Sequence, residues 1–280
     1  MRLSVQKTLK MYVGGKFIRS ESGRITSYTN DEGVQMNVPK ASRKDLRNSV
    51  EIARGALSGW SGRTAYNRGQ ILYRLAEMLE SRRGTFPTND EDMQRAIDRV
   101  VHYAGWTDKI TAILSSLNPV GMAYVNYSMV RPLGVVFTAP DPKDGLLGII
   151  EAICTPLVMS DTVILMVPVE LGELTVALSE AIAVSDIPGG VVNLLIGDVE
   201  EVLAVACRHD DIDGLSLGRG GLSDDVIKDC EVENARVMRR LILTGDISAP
   251  CAPHGLARLS EVQTVWMSSG GNIPTAGGAY

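Results

Sequence analysis

A chain of 280 residues, 45% apolar and 22% charged, has the composition of a globular protein and enough length to bury a substantial core in one or two domains. Its formal net charge of −5 argues against a general nucleic-acid binder, which would present a basic face. Cys154, Cys207, Cys230 and Cys251 are scattered without a C-x-x-C pair, which argues against a disulfide framework and points to reduced thiols in the cytoplasm.

The N-terminus carries no uninterrupted apolar run of the secretory type, and the longest apolar stretches, such as Thr162–Val169, are far shorter than a membrane span. Residues 11–40 alternate short apolar pieces with Gly, Ser, Asn and Asp, the pattern of strands and turns. Ser42, with Asp45 three residues on, reads as the cap of a helix running to about Ser58. Tyr66–Arg83 places Ile71, Leu72, Leu75, Met78 and Leu79 at helical spacing. Phe86–Asp92 reads as a loop, and a third helix is predicted from Met93 towards Leu117. Residues 1–117 are thus expected to form a hairpin and helices that pack on a central domain.

Residues 118–132 differ. Val125, Tyr127 and Met129 alternate with Asn126 and Ser128, as in a half-exposed strand, and this segment is predicted to be an arm. From residue 133 to about 240, apolar strands alternate with helices. The predicted strands are Leu133–Thr138, Thr162–Val167, Val191–Ile196 and Ile212–Leu217; the predicted helices are Gly145–Val158, Glu173–Val184 and Val199–Cys207. The fold class is α/β: a Rossmann-like, doubly wound parallel sheet of roughly four strands, with a small β oligomerisation arm. Ligands in such sheets bind beyond the carboxyl ends of the strands. In residues 241–280, Val262–Met267 reads as a second lone strand and the Gly/Pro/Ser-rich end from Ser268 as a flexible tail.

Residue types that often carry chemistry have plainer readings here. Cys154 sits on the apolar face of a predicted helix and reads as core. Cys207 and Cys230 lie in charged surroundings with no base nearby and read as inert thiols. Cys251 and His254 form half of a zinc motif with no second half, so no metal site is expected. His102 and His209 are isolated, and the Asp210-Asp211-Asp213 cluster reads as a solvated turn.

Five segments, in order, resemble the aldehyde dehydrogenase family. Tyr12-Val13-Gly14-Gly15-Lys16-Phe17 is similar to its N-terminal hairpin, and Arg68–Ala76 to its R-x-x-I-L-x-x-L-A helix. Arg131-Pro132-Leu133-Gly134-Val135-Val136 is similar to the strand that opens its nucleotide domain. Ile187-Pro188-Gly189-Gly190-Val191-Val192-Asn193 with Gly197 is the most specific match, to L-P-x-G-V-x-N-x-x-x-G. Gln263-Thr264-Val265-Trp266 resembles K-T-V-W near the family's C-terminus. More narrowly, the chain resembles the truncated second unit that some bacteria encode beside a full-length dehydrogenase, and which two-dehydrogenase proteins carry fused.

The resemblance implies an NAD site and a cysteine nucleophile, and the departures bear on both. The family's oxyanion-holding asparagine stands in P-W-N, where this chain reads Pro140-Asp141-Pro142. No E-L-G-G-K or G-Q-x-C segment with the family's glutamate and cysteine is evident, and the chain after Leu217 reads as internally deleted because the C-terminal strand motif still follows. The family's G-N-T-V-V-x-K-P-S-E corresponds to Ser160–Val169, with Met166 in the lysine position; Glu170 matches the glutamate only after a one-residue shift. F-T-G-S corresponds to Ser216-Leu217-Gly218-Arg219. The residues implied to line a nucleotide site are Thr138, Ala139, Pro140, Met166, Leu217 and Gly218, with NAD bound weakly or not at all. The sequence thus points to a family member without a catalytic cysteine, a partner subunit of itself or of a full-length dehydrogenase; the alternatives are an NAD(P)-dependent oxidoreductase acting on aldehydes and a weak dinucleotide-binding sensor.

Overall fold

The computed structural model describes residues 6–30, 32–121 and 124–268. The predicted tail beyond Ser268 lies outside the described residues.

The N-terminal part holds the strands β1 (Lys7–Thr8), β2 (Met11–Val13), β3 (Lys16–Ile18), β4 (Ile25–Thr29) and β5 (Gln35–Pro39). The helices α1 (Arg43–Ser61), α2 (Ala65–Ser81) and α3 (Asp90–Trp106) follow. The Ser42–Asp45 capping box forms as the spacing predicts: the Asp45 carboxylate accepts from Ser42 N–H at 2.8 Å, and also from the Ser20 hydroxyl at 2.7 Å. The predicted loop ends earlier than its composition suggests. Asn89 caps α3 by accepting from Asp92 N–H at 2.8 Å, and Asp90, Glu91 and Asp92 fill the first turn, where negative charge favours the helix dipole. The predicted single helix to Leu117 breaks at Trp106; α4 (Ile110–Leu114) and β6 (Ser116–Asn118) replace its end.

After the arm strand β7 (Tyr124–Pro132), the parallel strands are β8 (Val135–Ala139), β9 (Thr162–Val167), β10 (Val192–Ile196), β11 (Gly214–Gly218) and β12 (Arg240–Thr244). The helices between them are α5 (Gly145–Val158), α6 (Gly172–Ile182), α7 (Val199–Ala206) and α8 (Asp224–Val237). The short α9 (Pro253–Leu256) leads into β13 (Ser260–Ser268). The sheet order is β12-β11-β8-β9-β10-β2-β3, with β2 antiparallel to β10. A doubly wound α/β sheet is therefore observed, with a fifth parallel strand and a helix, α8, beyond the predicted four-stranded unit. The helix α8 escapes a periodicity reading because only Ile227, Cys230 and Asn234 on it are buried. The helices α1 and α7 pack against one face of the sheet; α5 and α6 cover the other, with α2 and α3 outside them.

The most specific sequence motif is scaffold. Asn193 accepts from Gly14 N–H at 3.0 Å and donates to Gly190 C=O at 2.8 Å, so one amide joins the N-terminal hairpin to the central sheet. Gly134 has φ +135°, and a Cβ there would stand 1.9 Å from the Asp213 carboxylate that accepts from Val135 N–H.

The lone strands of the sequence reading are not alone. β13 pairs antiparallel with β7 along its whole length, Ser260 opposite Pro132 through Ser268 opposite Tyr124, and β6 pairs on the other side of β7. The predicted arm and the predicted C-terminal strand belong to one three-stranded sheet.

One turn carries two stability defects. Ser160 has φ +74°, left-handed space that costs a side chain roughly 1 kcal/mol. Asp161 beside it is buried; one carboxyl oxygen accepts from Gly134 N–H at 2.8 Å and the other has no partner. Burial raises this carboxyl well above the usual aspartate range. The folded state therefore keeps a proton that the unfolded chain releases above about pH 4, so stability falls as pH rises from there through the elevated value. The motif resemblance pairs these positions with Gly-Asn. Ser160→Gly with Asp161→Asn is expected to raise the melting temperature at neutral pH and flatten its fall with rising pH. Calorimetric melts across that range check this; an unchanged slope would show that Asp161 ionises freely in the fold.

Candidate functional site

The crossovers from β8 run to β9 and β10 in one direction and to β11 and β12 in the other. The point where the order reverses lies between β8 and β11, and open α/β sheets bind ligands outside the strand ends there. A cavity of about 320 Å³ opens at that place, between the carboxyl ends of β8, β11 and β12, the helix α5 and the 245–259 segment. That volume is at the lower end of small-molecule pockets.

The structure gathers the six residues implied by the resemblance at the carboxyl ends of three adjacent strands. Thr138 lies opposite Ser216, and Ala139 opposite Leu217, across β8 and β11; Met166 is on β9 on the other side of β8. Their side chains differ in what they face. Ala139 and Pro140 line the cavity, with Ser216 beside them. Met166, Leu217 and Thr138 are wholly buried, and the Thr138 hydroxyl has no partner. The glycine run fits a neighbour within the chain. A Cβ on Gly218 would lie 2.1 Å from Asp141 N, one on Gly220 would lie 2.0 Å from the Asp141 carboxylate, and one on Gly221 would meet the Pro142 ring at 2.6 Å. The Pro140-Asp141-Pro142 turn occupies the close approach that these glycines permit.

Sequence reasoning missed the polar cluster on the helix side of the cavity. Glu151 is the one charged residue of α5 and lines the cavity while remaining 93% buried, at 7% relative exposure. The buried Arg99 guanidinium forms an ion pair with one carboxylate oxygen, and the Tyr103 hydroxyl donates to the other at 2.5 Å. Arg99 also donates to Ile247 C=O at 2.8 Å and Ser248 C=O at 3.3 Å, while Cys251 N–H donates to the Tyr103 oxygen at 2.8 Å. The α3–α5 charge pair thereby pins the 247–251 segment over the cavity. A single glutamate inside the otherwise apolar run Gly145–Val158 was the available signal.

Cys251 is the cysteine at the cavity. Burial and the Glu151 charge push its thiol up, away from the reactive thiolate. Burial also raises the thiol of Cys154, deep in the core. At the mouth, Asp141 pairs with Lys143 at 2.9 Å, and burial beside Asp141 holds the Asp144 carboxyl above the usual range. His254 is exposed, and no cluster of three metal-binding side chains occurs among the described residues. No helix among them is long and apolar enough to cross a membrane.

A doubly wound sheet with a cavity at its switch point defines a Rossmann-like α/β fold. The chain belongs to the aldehyde dehydrogenase family, whose model matches residues 17–237. It is similar to DhaS of Bacillus subtilis, an aldehyde dehydrogenase by name, with 28% identity over 231 residues, covering 76% of this chain and 46% of that protein. Mouse retinal dehydrogenase 2 is 29% identical over 230 residues, covering 75% and 44%. An aldehyde dehydrogenase of Bacillus cereus solved as its NAD+ complex shares the fold with a TM-score of 0.78 at 24% identity, covering 85% of this chain and 51% of that one. The chain spans about half the length of these relatives.

Proposed function

We propose that this chain is a non-catalytic member of the family, a partner subunit that assembles with itself or with a full-length aldehyde dehydrogenase. The observation that carries the reading is the chemistry of the cavity at the switch point. Its cysteine is a thiol raised by burial, its buried glutamate is fully engaged by Arg99 and Tyr103, and Pro142 stands where the family's asparagine amide would hold an oxyanion. None of these groups supplies a nucleophile or a free base.

The residues present also fit a dinucleotide poorly. Met166 offers no charge to a ribose and is buried in the sheet, and the space beside Gly218 is taken by the chain's own turn. Losing one charge-assisted hydrogen bond costs about 1.5–3 kcal/mol, or roughly ten- to a hundredfold in affinity.

Assembly has a surface to use. Strand alternation puts Leu117, Val125, Tyr127, Met129, Val265 and Met267 on one face of the β6–β7–β13 sheet, and Leu117 is 76% exposed. Trp266, by contrast, shares the opposite face with Tyr124, at 6.2 Å between ring centroids, so Trp266 and Tyr127 do not form a joint anchor.

The purified protein is expected to form no NADH or NADPH from short aliphatic or aromatic aldehydes, and to bind NAD more weakly than micromolar by calorimetry. Cofactor reduction above a no-protein control that disappears in Cys251→Ala would overturn the non-catalytic reading.

A further inference from the structure

Cys207 and Cys230 are far apart in sequence, and both are nearly fully buried, at 2% and 3% exposure. Their sulfurs lie 3.0 Å apart, where Cys207 caps the end of α7 and Cys230 faces inward from α8. A disulfide would need the two sulfurs to close by about 1 Å. The joint around them is built to keep that register. Arg239 donates to Cys207 C=O, to His209 C=O at 2.8 Å and to Ile212 C=O at 3.0 Å, and its Nε donates to the Asn234 side chain at 2.6 Å. Asn234 in turn donates to Cys230 C=O at 2.6 Å, and Arg208 bridges α7 to Glu233 of α8 at 3.0 Å.

We propose that Cys207 and Cys230 are a redox modification site, a thiol pair that closes to an intramolecular disulfide on reaction with hydrogen peroxide. The Cys230 thiolate attacks one peroxide oxygen; the O–O bond breaks, and the leaving hydroxide takes a proton to become water. Cys230 is then a sulfenic acid. The Cys207 sulfur attacks it, the S–O bond breaks, and the hydroxyl leaves with the Cys207 proton as a second water. Two thiols are oxidised to one disulfide and one peroxide is reduced to two waters. The thiol–thiol contact lets one sulfur ionise while the other donates to it, and the Arg239 guanidinium near both favours that thiolate.

Burial does not seal the pair. Only Ile227, Cys230 and Asn234 of α8 are buried and Val232 is 64% exposed, so local opening of this edge helix, against its polar ties to α7, is the route by which peroxide reaches the sulfurs. The disulfide would fasten α8, which follows the Gly218–Gly221 run, to the more deeply packed α7.

The full chain, reduced and then desalted, is treated with hydrogen peroxide, quenched with catalase, blocked with N-ethylmaleimide in denaturant and digested without reductant. The expected product is one peptide pair joined through Cys207 and Cys230, with Cys154 and Cys251 outside the linkage. Oxidation should raise the melting temperature by about 5–10 °C, reversed by dithiothreitol, as closing a loop of this length constrains the unfolded chain. In Cys207→Ala the linkage should vanish, and dimedone should label Cys230. If Cys207 and Cys230 of the treated wild type are both recovered alkylated, or are found joined to other cysteines or between chains, the proposal fails; the wild-type map decides this even if the variant does not fold.

Discussion

Arg99→Leu is expected to destabilise the protein by about 3–5 kcal/mol, the cost of leaving a buried carboxylate without its cation. Arg99 and Glu151 are 5% and 7% exposed, so little solvent is at hand to replace the lost contact. The same substitution releases two main-chain carbonyls, those of Ile247 and Ser248. The loss should therefore appear twice: as a lower denaturation midpoint in urea, and as faster alkylation of Cys251, whose N–H is held by Tyr103 in the same network. Adding Glu151→Leu to Arg99→Leu should restore much of the stability, because an apolar pair can replace a buried ion pair that a single substitution only breaks. The carbonyls would remain free, so fast Cys251 alkylation should persist. A loss below about 1 kcal/mol in the single variant would mean that solvent reaches Glu151 and that the 247–251 segment is held by other contacts.

Val125→Glu with Met267→Glu is expected to abolish assembly. These residues are direct cross-strand partners on the face of the β6–β7–β13 sheet that Leu117 and Tyr127 share, 36% and 49% exposed. Two carboxylates placed opposite each other repel, and neither could be buried in an interface without its desolvation cost. Each central apolar anchor of an interface is worth about 2 kcal/mol or more, so dissociation should strengthen at least thirtyfold. Truncation after Ser260 should have the same outcome by another route, since it removes β13, one exposed edge of that sheet. Thr264→Lys, on the face that Trp266 occupies, is the control and should leave assembly unchanged. Light scattering of the chain alone and with a full-length family dehydrogenase gives the answer. A wild type that is monomeric at micromolar concentration and binds no such dehydrogenase would remove the partner reading, while leaving the sheet itself intact.

Local pattern was enough for much of the architecture. The runs Gly145–Val158 and Thr162–Val167 take their predicted bounds, because a helix buried on nearly all sides and a central parallel strand both leave an uninterrupted apolar signature. The capping box at Ser42 was likewise legible, since a cap is decided within a few residues. Edge elements were harder to read. The helix α8 buries only three residues in a polar sequence, and β12 buries only Ile242, so neither leaves the apolar run that marks the central elements, and the parallel sheet extends beyond the predicted four strands.

The sequence by itself determined the α/β class, the order of the central strands and helices from β8 to β11, and the residues that depart from the family's catalytic motifs; each of these follows from residue types and short-range spacing. Tertiary structure alone decided which distant segments meet. It paired β7 with β13, set Trp266 and Tyr127 on opposite faces, closed the Pro140–Pro142 turn onto the Gly218–Gly221 run, joined Arg99 to Glu151, and brought Cys207 against Cys230. Contacts of that kind depend on how whole layers pack and on strand register, where a one-residue slip would turn every side chain to the other face, and neither is encoded within any single window of the chain.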